Sequence, residues 1–152
     1  MHEFDFQIGE WRVRHQKLRR RLVGSTDWAE FDGSCKAWTV MDGDGSVEDQ
    51  FLEDPDGFYR AAAFRRRDPQ TGDWSIWWFD SRATALDPPV IGRFVDGVGH
   101  FYADDILDNR PIRVRFIWSQ ITAVGARWEQ AFSADSGQTW ETNWVMTFTR
   151  EA

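Results

Sequence analysis

The side chains best suited to carry chemistry in this chain are His15, His100, Tyr102 and the lone Cys35. Read as a strand that opens at Val98 after a turn at Asp96-Gly97, the chain puts His100, Tyr102 and Asp104 on one face. An imidazole there could exchange protons, and a phenol could donate to a developing oxyanion. His100 and Tyr102 are therefore the candidate catalytic pair. Cys35 stands mid-strand among small and apolar neighbours, where a thiol serves as a small hydrophobe.

Other chemistries find no motif. His2, His15 and His100 are scattered, and neither His-x-x-x-His nor Cys-x-x-Cys spacing occurs, so no zinc site is expected. Asp42-x-Asp44-x-Ser46 begins like a calcium loop, but Val47 stands where such a loop needs glycine. The phosphate-cradling Gly-x-x-x-x-Gly-Lys-Ser/Thr and the Gly-x-Ser-x-Gly elbow are both absent. No cofactor is called for.

Composition narrows the class further. A chain of 152 residues suits one domain over 1–152, and ten Trp with twelve Phe favour pleated strands over helices. The formal charge of −7 argues against a general nucleic-acid partner. Arg19-Arg20-Arg21 and Arg65-Arg66-Arg67 fall at strand ends, where charge protects edges. A single cysteine allows no intrachain disulfide. The start lacks a signal-peptide pattern, and no apolar run of about 18 residues offers a membrane span. A soluble cytoplasmic protein is the expectation.

The elements that must position these residues read as strands. After a short helical turn at 4–9, alternation marks strands at 10–23, 29–40, 46–53, 58–67, 73–80, 90–95, 98–104 and 112–119. A closing hairpin at 126–150 supplies two more, its faces carrying Trp128 and Gln130 on one arm and Trp140, Thr142, Trp144, Met146 and Phe148 on the other. The longest irregular piece, 81–89, ends in Pro88-Pro89 and is a candidate functional loop. No crossover helix interrupts the series, so neighbours pair antiparallel. Closing such a meander removes its sticky edges. The fold expected is all-β, a closed up-and-down barrel of about ten strands.

Inward faces then bring together Trp78, Trp118, Trp128 and Trp144 with His15, His100, Tyr102 and Gln130. Aromatic walls with a few directed polar groups suit a small, largely apolar ligand. The opposite faces hold Trp77, Phe79, Ile91, Val95, Phe101 and Ile117, too apolar for open water, which points to a homodimer through Trp77, Phe79, Phe101 and Ile117.

Gly9-Glu10-Trp11, just before the first long strand, resembles the Gly-x-Trp entrance of the lipocalins and the wider calycin group, in which the Trp packs across the closed end. With Phe4-Asp5-Phe6-x-Ile8-Gly9-x-Trp11 and Ser133 to Trp140, the layout resembles an uncharacterised bacterial family of single-domain lipocalin-like proteins. The resemblance implies a lipocalin-like barrel and leaves activity open. Ser133-x-Asp135-x-Gly137-x-Thr139-Trp140 also resembles the Asp-box of sialidase-type propellers, a motif that serves the turn.

Three readings follow. The first is binding of a small hydrophobic or aromatic molecule in the barrel. The second is an enzyme on the same barrel, a cyclase, isomerase or hydrolase using His100 and Tyr102. The third is a structural, dimeric protein with a filled core.

Overall fold

The alternation seen in sequence closes into a cylinder. In the computed structural model, which describes residues 2–152, a 3-10 turn at Glu3–Gln7 precedes ten strands. They are β1 (Gly9–Leu18), β2 (Trp28–Val40), β3 (Gly45–Leu52), β4 (Tyr59–Arg67), β5 (Trp74–Asp80), β6 (Val90–Val95), β7 (Val98–Leu107), β8 (Arg110–Ser119), β9 (Gly125–Ser133) and β10 (Glu141–Arg150). Each pairs antiparallel with its sequence neighbour, and β10 returns to β1 from Trp11↔Arg150 to Lys17↔Trp144. No edge remains between first and last strand. The narrowest seam is β5–β6, which pairs only at Trp74↔Gly92, Ser75↔Ile91 and Ile76↔Val90.

One end is plugged by the N-terminal turn. The Phe4 ring meets Trp74 at 5.0 Å, Phe94 at 5.1 Å, Phe101 at 5.8 Å and Trp118 at 6.0 Å, largely edge to face. Trp11 donates its Nε1–H to the Gln7 carbonyl over 2.7 Å. Arg150 lies 4.1 Å over the Trp11 ring and donates to the carbonyls of Phe6 (2.6 Å) and Ile8 (2.7 Å). These bonds explain the Gly-x-Trp signature. Gly9 has φ +124°, and a Cβ there would come within 2.6 Å of the Arg150 guanidinium.

Four expectations are corrected. The first strand ends at Leu18, not near residue 23, so Arg19 to Arg21 belong to the rim. β7 takes the opposite phase, with Gly99 and Phe101 buried and His100 exposed. Gly99 makes room inside for the plug, since a Cβ on it would strike the Phe101 and Phe94 rings at 2.7 and 2.8 Å. Small residues mark the covered side here, and the cover is internal. Phe101 is therefore core, and only Trp77, Phe79 and Ile117 of the proposed dimer face lie outside. Finally, Arg65 continues the buried row Tyr59, Ala61 and Ala63 of β4 and points inward, while Arg66 takes the exposed position expected of strand-end charge.

The closing hairpin departs in one detail. A bulge between Thr142 and Trp144 turns Asn143 inward, so Thr142 does not continue the row of Trp144, Met146 and Phe148. Its turn holds itself together: Asp135 accepts from the Thr139 hydroxyl (2.6 Å) and the Ser133 hydroxyl (2.7 Å). The Asp-box pattern thus serves the turn in this chain.

Candidate functional site

At the end opposite the plug the strands splay around a cavity of about 440 Å³. Its walls are the inward rows of β5 and β8 to β10, contributing Trp78, Val114, Phe116, Trp128, Gln130, Phe132 and Trp144. The rings meet edge to face: Trp144 lies 5.6 Å from Trp78 and 5.5 Å from Trp128, and Trp128 lies 4.9 Å from Phe116. Gln130 donates to the Asn143 side-chain carbonyl over 2.8 Å, so the bulge fixes its amide.

His15 lies behind this wall. Its Nδ1 accepts the Trp144 indole N–H at 3.0 Å, and its ring stacks on Phe31 at 4.6 Å. Burial, reinforced by Lys17, pushes the imidazole down to about 3, so it is neutral with its proton on Nε2.

The mouth is charged. Lys17 reaches in from the end of β1, donates to the Tyr59 hydroxyl at 2.8 Å and sits 4.3 Å over the Trp144 ring, with Asp54 at 4.0 Å. Burial, then the nearby Arg82 and Arg21, push its ammonium down to about 8. Arg21 lies 5.3 Å over Phe132 and has no ion pair among the described residues; burial brings it down to about 10. Arg82 binds Asp80 through two bonds, at 2.9 and 2.7 Å, and covers the Tyr59 ring at 3.6 Å. Although burial acts to raise it, these bonds hold the Asp80 carboxyl below its ordinary range. Asp87, from the 81–89 loop, and Asp105, from β7, line the same cavity as Lys17 and Arg21. Burial and the other carboxylates raise Asp87.

Below the cavity floor lies a second charged cluster. Arg65 and Glu48 are each 2% exposed and form a close ion pair, joined by Gln7 (3.0 Å) and Gln50. Burial alone would raise Glu48, but Arg65 and the two amides outweigh it and keep the carboxyl low. The Arg65 guanidinium lies between Phe4 (4.6 Å) and Trp118 (5.6 Å). Cys35 shares this cluster, and burial together with Glu48 pushes its thiol well up, which disarms it as a nucleophile.

The residues singled out in sequence therefore separate. Trp78, Trp128, Gln130 and Trp144 line the cavity; Trp118 lies below it and His15 behind it. His100 and Tyr102 are corrected to the outer wall, His100 between Arg93 and Ile117 and Tyr102 against Trp140 at 6.2 Å. The mouth groups Lys17, Arg21 and Arg82 were missed. Lys17 was within reach, because it is the next member of the row Trp11, Val13, His15.

The closed ten-strand meander, plugged at one end and hollow and aromatic at the other, is a barrel of lipocalin-like fold. Among solved structures the chain is similar to the S-type phycobiliprotein lyase CPES from Guillardia theta, with a TM-score of 0.59 and 11% identity over 98% of this chain and 90% of that one. At that identity the likeness is one of fold. No protein-family model and no curated protein matches the chain.

Proposed function

We propose that the protein binds one small, largely apolar or aromatic molecule bearing an anionic group in the open end of its barrel. The observation that carries this is the cavity of about 440 Å³ walled by Trp78, Trp128 and Trp144 beneath the cations Lys17 and Arg21. Its volume falls in the range of roughly 300–1,000 Å³ that holds a single organic ligand. Flat rings can stack on the indoles, and a carboxylate can meet the guanidinium at the rim. The fold likeness to a phycobiliprotein lyase adds a bilin, a conjugated acid, to the compounds worth testing. The enzyme reading loses support, because His100 and Tyr102 lie away from the cavity.

Titration of the tryptophan fluorescence with anilinonaphthalene sulfonate, a long-chain fatty acid and biliverdin tests the proposal. Saturable quenching by at least one is the expected result. Unchanged emission with all three, from protein that is folded by circular dichroism, would rule it out.

A further inference from the structure

Of the 18 basic residues in the chain, only Lys17 and Lys36 are lysines. Lys36 lies on the outer wall, 64% exposed beside Glu10, as a surface lysine does. Among the described residues Lys17 is the one amine turned into the cavity, its side chain 15% exposed. Arginine serves ion pairing and ring stacking at least as well as lysine. What a primary amine adds is condensation with a carbonyl.

Building on the ligand-binding reading above, we propose that Lys17 captures a carbonyl-bearing member of that ligand class, an apolar or aromatic aldehyde, as an imine. The Nζ lone pair forms the N–C bond while the carbonyl π electrons move to oxygen. A proton passes from nitrogen to that oxygen, giving a carbinolamine. A second proton, taken from solvent, lets the oxygen leave as water, the C–O bond breaks, and a protonated imine remains. Amine, aldehyde and one proton give protonated imine and water, so no oxidant or reductant is consumed.

The surroundings fit each stage. The Tyr59 hydroxyl, 2.8 Å from Nζ, is placed to carry the proton between nitrogen and oxygen. Burial raises that phenol, so it stays protonated. The Trp144 face at 4.3 Å supports the cationic imine, and the Asp54 carboxylate at 4.0 Å is its counter-ion. With its ammonium held at about 8, about a tenth of Lys17 is the free amine at neutral pH, far more than of an ordinary lysine.

Naphthaldehyde and its alcohol, naphthalenemethanol, serve as probes of matched shape. The full chain is incubated at neutral pH with the aldehyde and cyanoborohydride, which reduces an imine to a stable amine, and the adduct is located by peptide mass mapping. The expected result is labelling of Lys17 roughly tenfold or more faster than Lys36, since an ordinary lysine amine is almost wholly protonated there. Lys36 is an internal control that needs no variant. Lys17→Arg should lose the cavity adduct while Lys36 labels at its wild-type rate. Quenching by both probes with Lys17 labelled no faster than Lys36 overturns the imine and leaves ligand binding standing. No quenching and no adduct overturns the imine, and the ligand-binding reading then stands or falls on the anionic probes above.

Discussion

Trp144 donates its indole N–H to His15 Nδ1 over 3.0 Å, and that single bond sets both the tautomer of the histidine and the plane of the ring that walls the cavity. The bond needs the neutral imidazole. Since His15 is held at about 3 when folded, against about 6.5 in an unfolded chain, the unfolded state takes up the proton first as pH falls. The contribution is therefore full above pH ~6.5 and is lost as pH falls from there toward ~3. Between pH 7 and 5 this histidine should remove about 2 kcal/mol of stability. Urea unfolding of wild type and His15→Gln at both pH values checks it: the variant should show a flatter dependence, and parallel slopes would count against the buried neutral histidine.

Arg21 bears on affinity. If an anionic group meets it at the mouth, Arg21→Ala should weaken binding of a fatty acid or sulfonate roughly fivefold to tenfold, the value of a half-buried charged hydrogen bond. A neutral analogue should bind as before. Fluorescence titrations of the acid and its methyl ester in both proteins make the comparison, and equal losses for the two would remove Arg21 from ligand recognition.

Glu48→Gln isolates the buried pair. It leaves the Arg65 guanidinium without its counter-charge in the core and should cost about 3–5 kcal/mol, read by urea or thermal unfolding. Combining it with Arg65→Met should recover most of the loss, because an uncharged Gln–Met pair of similar volume leaves no desolvated charge. A double variant as unstable as the single one would show that the pair carries more than mutual neutralisation.

The outer wall leads to a statement about assembly. With Phe101 inside, Trp77, Phe79, Ile91 and Ile117 remain facing outward, Phe79 41% and Ile91 48% exposed. We propose that a second copy of the chain covers this face. Light scattering at micromolar concentration should then give a dimeric mass, and Trp77→Glu should give a monomer that still quenches with ligand. A monomeric wild type removes the proposal.

Much of the architecture was legible because alternation is a direct imprint of a half-buried strand, and short Gly- and Asp-rich turns leave antiparallel pairing as the outcome. Trp78, Trp128, Gln130 and Trp144 follow from that rule. His100 and Tyr102 were misplaced because both phases of β7 carry an aromatic, and only the packing of Phe4 against Phe94 and Phe101 decides between them. Gly92 carried the same information: a Cβ there would meet the His100 carbonyl at 1.8 Å, which marks strands in close approach. Arg65 was hidden for a different reason. Its partner Glu48 is on the neighbouring strand, and a pattern of polar and apolar letters cannot show that two charges satisfy each other inside.

The three-rung seam between β5 and β6 makes the wall unequal in strength around its circumference. From Trp77 to Asp80, β5 has no ladder partner on that side, and the exposed 81–89 loop spans the gap beside the cavity. Such a stretch has the least hydrogen bonding to lose, so it parts before the rest of the cylinder does. Hydrogen exchange should find the Trp78 amide, which points to the unpaired side, among the fastest of any strand. The rim of the open end would then yield first along this one side.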